Sequence, residues 1–144
     1  MFILFTGRED EYKRRLTNMK DVQGILDQFQ VTVHYPNKAQ MSFGDTVHML
    51  HHTRLLIAPS GTGFSGNVPF LNPNTSVIVE LFPRPIHTST GAIVAKYRKF
   101  KYYIPLICLH KDPDVVDGIL VNITHLRLGL HLARQYLHDI ERVI

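Results

Sequence analysis

Apolar residues along this chain collect in short blocks at Phe2 to Phe5, Val31 to Tyr35, Leu55 to Ala58, Val77 to Leu81 and Tyr102 to Cys108. Blocks this short, bounded by Gly, Pro and Asn, suit strands of a parallel sheet covered on both faces. Between the blocks the spacing turns helical. Met19, Val22, Ile25, Leu26 and Phe29 recur on one face within Asp10 to Phe29. Ser42 is placed to cap a helix, with Asp45 at the third position, and the helix runs to about His52 with Phe43, Val47 and Leu50 inward. Thr62 to Leu71 predicts a short helix, ended by Asn72-Pro73-Asn74. Gly91 to Phe100 admits another. Leu126, Leu130, Ala133, Leu137 and Ile140 form the stripe of a last helix, about Thr124 to Val143. Pro83-Arg84-Pro85 predicts a stiff loop, Lys111 to Gly118 a polar one, and Pro105 an edge position for its strand. The β-α-β-α-β-α-β order predicts an α/β fold: a Rossmann-like, mainly parallel sheet with helices on both faces and right-handed crossovers.

Composition agrees with one globular domain over residues 1–144: 44% of residues are hydrophobic and 19% charged. The net charge of +4 suits an anionic ligand and is too small to call for nucleic acid. Cys108 is the single cysteine, which excludes an internal disulfide and a multi-cysteine zinc site. Its apolar surroundings predict a buried, inert thiol. No apolar run reaches the ~20 residues of a membrane span. Met1 to Phe5 lacks a basic leader and reads as a strand, so no targeting signal is visible. A chain that opens directly on a core strand reads as a fragment or truncated form of something longer.

The densest chemistry follows the third block. Ser60-Gly61-Thr62-Gly63 leaves a strand and opens a helix, where backbone N–H groups attract phosphate and the glycines let a ligand approach closely. The string is neither G-x-G-x-x-G nor a Walker A loop, and on pattern alone it fits a ligand-free tight turn equally well. Ligands of open parallel sheets bind at the carboxyl ends of strands, which places Ser60 to Gly63 and Glu80 on the working edge. Arg8 follows the first strand, and Arg14 and Arg15 follow on the first helix. Arginines there pair with phosphate, or they are surface charge. His48 and His52 have metal-ligand spacing, but no Glu stands between them and no third ligand is evident, so no metal is expected. Asp112-Pro113-Asp114 matches a bare D-x-D string in a loop where Asp and Pro are common, and reads as chance. Lys96 to Tyr103 interleaves bases with aromatics. It reads as a helix end whose aromatics enter the core, with single-strand nucleic-acid binding as the other reading. Asn74-Thr75-Ser76 and Asn122-Ile123-Thr124 are glycosylation sequons that matter only in a secretory compartment.

Several of these strings fall in a familiar order. Phe5-Thr6-Gly7-Arg8 with Arg15 and Asn18 resembles the "SR…R…N" opening of the carboxyl-terminal half of glycosyltransferase family 61. Ser42-Phe43 to Leu50, then Leu56-Ile57-Ala58-Pro59-Ser60-Gly61-Thr62-Gly63, is similar to its "S-F…Q-V…PHGAG" stretch. PNTSVIVELFP, Pro73 to Pro83, is similar to its "PG-x-x-V-I-E-x-x-P" segment, so the likeness spans about residues 3 to 107. The family includes EGF-domain-specific O-linked N-acetylglucosamine transferase, the protein O-mannose N-acetylglucosaminyltransferase and plant xylan-decorating enzymes. The resemblance implies one half of a GT-B type fold, the donor-binding half, without the amino-terminal acceptor domain. It implies a UDP-sugar donor, a protein or glycan acceptor, inversion, no metal or other cofactor, and residence in the endoplasmic reticulum or Golgi lumen. By matching position, Arg8 and Arg15 contact the donor diphosphate or its surroundings. Ser60, Gly61, Thr62 and Gly63 form the phosphate-facing turn, and Glu80 binds ribose or sugar hydroxyls. Two positions depart from the pattern: the family's His is Ser60 here and its Ala is Thr62. Serine is shorter and uncharged, so electrostatic help at the diphosphate is reduced. No residue of this chain is assignable as catalytic base. The expectation is therefore a chain inactive by itself. The alternative is a degenerate, non-catalytic domain with a structural or partner-binding role.

Overall fold

A computed structural model of the protein describes residues 2–6, 15–34, 40–83 and 90–143. Arg8, Arg14 and the Arg84-Pro85 loop lie outside the described residues. Among those described, the strands are β1 (Phe2–Thr6), β2 (Arg15–Leu16), β3 (Thr32–His34), β4 (Thr53–Pro59), β5 (Val77–Pro83), β6 (Tyr102–Lys111) and β7 (Gly118–Val121). The helices are α1 (Met19–Gln28), α2 (Phe43–His51), α3 (Thr62–Asn67), α4 (Thr90–Tyr97) and α5 (Ile123–Val143). The strands form one curled sheet in the order β2-β7-β6-β5-β4-β1-β3. Strands β3, β1, β4, β5 and β6 run parallel, while β7 is antiparallel to β6 and carries β2 beside it. The Rossmann-like α/β expectation holds.

Alternation along the central strands divides the core into two layers. Leu55, Ile57, Val77, Val79 and Leu81 face α1 and α5, joining Val22, Leu26, Leu126, Leu130 and Ala133. Leu56, Ala58 and Ile78 face the other way, against Leu50 of α2, Phe64 of α3 and Ala95 of α4. Strand β1 lies between β3 and β4, so the chain leaves β1 in one direction through α1 and returns across it through α2. That reversal makes a topological switch point between the carboxyl ends of β1 and β4, the usual crevice for a ligand in such sheets.

Several local expectations change. Arg15 belongs to strand β2, not to the first helix, because Thr17 and Asn18 tie this segment to β7. The Thr17 N–H donates to Ile119 O at 2.9 Å. The Asn18 amide donates to Val121 O at 2.8 Å and accepts from the Val121 N–H at 2.9 Å. Ser42 does cap α2, accepting from the Asp45 N–H at 3.0 Å. Phe43, expected inward, is 74% exposed and rests edge-on against Phe70, whereas Leu50, also expected inward, is buried, with Met49 beside it. α3 stops at Asn67 and a 3-10 turn, Val68–Phe70, takes over at Pro69, whose missing N–H cannot continue the α-helical ladder. Strand β6 is interior, against the edge expectation. β7 pairs with Leu109 to Lys111, so among the described residues the outer side of β6 has no strand neighbour at Pro105 and the missing N–H is tolerated there. The polar loop after Lys111 gives way at Gly118 to β7, which the sequence reading missed.

Candidate functional site

The switch point is built by the end of β4 and the turn after it. The Ser60 N–H donates to Leu81 O at 2.9 Å, extending the β4–β5 ladder past Pro59 and fixing where the chain leaves the sheet. Gly61 then takes φ 155° and ψ −177°, a region essentially reserved for glycine. The turn therefore needs Gly61 for its backbone alone. The Ser65 N–H bonds Gly61 O at 3.0 Å and starts α3, leaving the N–H groups before it without intrahelical acceptors. α3 has only six residues, so its dipole adds less than the sequence reading assumed. Ser60 and Gly61 are half-buried beside the crevice, and Thr62 and Gly63 open the helix.

Glu80 shares this carboxyl edge one strand away, paired in register with Ala58 on β4 and Pro105 on β6. It is fully buried on the α2–α4 face, and the Tyr103 hydroxyl donates to its Oε2 at 2.5 Å. Burial and this bond push the Tyr103 phenol far above its ordinary range. The family-derived carboxylate thus sits beneath a tyrosine lid, a pairing that spacing in the sequence did not signal. The structure brings together Ser60, Gly61, Thr62, Gly63 and Glu80. Arg15 stands at the far edge, four strands from β4 along the sheet. A residue the sequence reading passed over is His34. It ends β3 level with Thr6 of β1 and is half-buried, and burial lowers its pKa below the ordinary imidazole value. Its signal in the sequence was a histidine within the predicted strand Val31 to Tyr35, two residues before Pro36.

The remaining chemistry-bearing strings are occupied structurally. Asp112 accepts from the Thr17 hydroxyl and from the Asp114 N–H at 2.8 Å, and these bonds hold its carboxyl below the usual range. It pins the loop before β7 to the segment before α1. Tyr102 stacks on Tyr136 at 4.3 Å with the Lys101 cation over its ring, so two aromatics of the Lys96–Tyr103 stretch have internal partners. His48 and His52 approach to 4.4 Å between ring centroids on the exposed end of α2. Among the described residues, no group of three or more His, Cys, Asp or Glu could hold a metal. Cys108 is fully buried, and burial pushes its thiol up to about 12. Asn122 caps α5, accepting from the His125 N–H at 3.0 Å, whereas Asn74 is exposed in a turn. No helix among the described residues is long and apolar enough to cross a membrane.

The switch point, its glycine turn and the strands on either side coincide with a match to a known family. The model of Glycosyltransferase 61 matches residues 2–78, just over half of the chain. The chain belongs to glycosyltransferase family 61. The match runs from β1 through β2, α1, β3, α2, β4 and α3 into β5 and ends two residues before Glu80. Apart from the two-residue β2 at the far edge, the family segment is the switch-point half of the sheet, and a glycosyltransferase role follows from it. The "N" of the family's opening string has a structural task here, since Asn18 braces the start of α1 against β7. No curated protein matches the chain.

Proposed function

We propose that this chain is the donor-binding half of a family 61 glycosyltransferase of GT-B type, acting in the endoplasmic reticulum or Golgi lumen. The reaction moves a sugar from a UDP-sugar to a protein or glycan hydroxyl with inversion and without a metal. The observation that carries the reading is the Gly61 turn at the β1/β4 switch point, inside the segment that belongs to the family. Arg8, two residues after β1 in the sequence and outside the described residues, is assigned the diphosphate. Arg15, four strands from β4, is left to the surroundings. Gly61, Thr62 and Gly63 cradle the phosphates through backbone N–H groups, and Ser60, whose N–H is held by Leu81 O, offers its hydroxyl beside them. Glu80 bounds the far side and meets donor hydroxyls only once Tyr103 has moved off its carboxyl. In the transfer, the acceptor oxygen forms a bond to the anomeric carbon as the bond to UDP breaks, and the acceptor proton passes to a base outside the residues assigned.

Ser60 favours a second reading, a degenerate domain that pairs with a partner chain. It offers a short hydroxyl where a charge-stabilising imidazole would serve an active enzyme better. Titration calorimetry with UDP separates the two. Binding by the folded chain that Arg8→Ala abolishes supports the donor site, and a folded chain that ignores UDP overturns it. Robust sugar transfer by this chain alone would sink the expectation that it is inactive without a further domain.

A further inference from the structure

His34 shares a row of the sheet with the site. Its register partner is Thr6 on β1, Phe5 pairs with Ile57 on β4, and Ala58 pairs with Glu80 on β5. Carrying the β1–β4 register on by one residue gives the sequence His34, Thr6, Ala58, Glu80 across four strands. Val33 packs into the α1–α5 layer, so strand alternation puts His34 on the opposite face, which carries Ala58 and Glu80. At a strand spacing of about 4.8 Å, His34 stands roughly 10 Å along the row from Ala58. The Gly61 turn begins just above Ala58.

The imidazole is half-buried, with no hydrogen bond or ion pair among the described residues. Desolvation lowers its pKa, which favours the neutral ring. A neutral ring carries one N–H donor and one lone pair, which complement a hydroxyl or an imide. It offers a diphosphate no charge.

We propose that His34 is a binding residue of this site and contacts the uncharged nucleoside portion of the donor. This rests on the donor-binding reading above. The Gly61 turn holds the charged end, and His34, two strands away, reads the neutral part of a ligand lying along the carboxyl edge.

The test uses the full chain, UDP and inorganic pyrophosphate, with His34→Ala and His34→Gln checked for folding by circular dichroism. His34→Ala weakens UDP about three- to tenfold, the loss of one neutral hydrogen bond. Pyrophosphate, measured by its displacement of UDP, binds both proteins alike. His34→Gln retains a donor and an acceptor and recovers part of the loss. Should His34→Ala fail to fold, the imidazole signal that disappears in His34→Gln is followed by NMR in the wild type and shifts on adding UDP. Unchanged UDP affinity in His34→Ala, equal loss of UDP and pyrophosphate, or an imidazole signal indifferent to UDP overturns the inference and leaves the donor site standing. A wild-type chain that binds no UDP overturns both.

Discussion

Replacing Tyr103 with phenylalanine removes one oxygen and tests how the floor of the candidate site is held. Glu80 has no exposed surface, and the Tyr103 hydroxyl donates to it at 2.5 Å. No bulk water can take the place of that donor without the core opening. A hydrogen bond to a carboxylate contributes about 1.5–3 kcal/mol. The ring itself stays, so packing against the α2–α4 layer is preserved. Tyr103→Phe should therefore destabilise the chain by about 1.5–3 kcal/mol. At roughly 4 °C per kcal/mol for a domain near this size, the midpoint falls by about 6–12 °C. Tyr102→Phe is the matched control, because the Tyr102 ring keeps its stack on Tyr136 at 4.3 Å after losing its hydroxyl. Urea and thermal denaturation, each followed by circular dichroism, give the two numbers. If Tyr103→Phe lies within about 0.5 kcal/mol of wild type, the range of an ordinary surface change, the carboxyl is not held as described.

A methyl at Gly129 would stand 2.2 Å from Leu106 Cδ1. Gly129→Ala should cost about 1–3 kcal/mol of overpacking, less about 1 kcal/mol regained from helix propensity. Adding Leu106→Ala should relieve the clash, read as coupling in a double-mutant cycle; independent, additive effects would refute the contact. Asn18→Ala strips both amide bonds from the buried Val121 backbone and should lower stability by about 2–3 kcal/mol in urea. Cys108, pushed up to about 12 in the fold, ionises first in the unfolded chain, near its ordinary value of about 8.5. Its contribution is complete below about pH 8.5 and is lost as pH rises toward the folded value, with a slope of up to about 1.4 kcal/mol per unit. Cys108→Ala should lack that slope in stability measured against pH. Arg54 buries Nε and Nη2 with no hydrogen-bond acceptor among the described residues, so Arg54→Met should raise the denaturation midpoint, with a gain of about 1 kcal/mol.

The central layer of the fold was legible because its signals are local. Leu55 to Ala58 and Val77 to Leu81 are continuous apolar runs, and a strand buried on both faces needs little else to be recognised. Ser42 and Asp45 announced the start of α2 because a cap acts over a single turn. The strands at the far edge were not legible. Arg15–Leu16 spans two residues and exists through a partner about a hundred positions away. Gly118–Val121 spans four, pairs with the end of β6 and lies in a stretch without an alternating apolar pattern. Phe43 was misplaced because periodicity fixes the spacing of a stripe without fixing which residue begins it. Of the site, the Gly61 turn was readable from its glycines. The burial of Glu80 beneath Tyr103 and the alignment of His34 with it were not, since neither pair has a sequence spacing that recurs.

What the sequence determined by itself is the alternation of strand and helix, the family and the glycine turn at the end of β4, all of which rest on neighbouring residues. The tertiary structure decided the strand order, and with it the switch point that turns the end of β4 into a crevice. It also decided which motif residues share that crevice and which, like Asn18 and Asp112, serve as braces. Local sequence sets propensity and periodicity. Register and strand order come from long-range burial, which joins residues the chain itself keeps far apart.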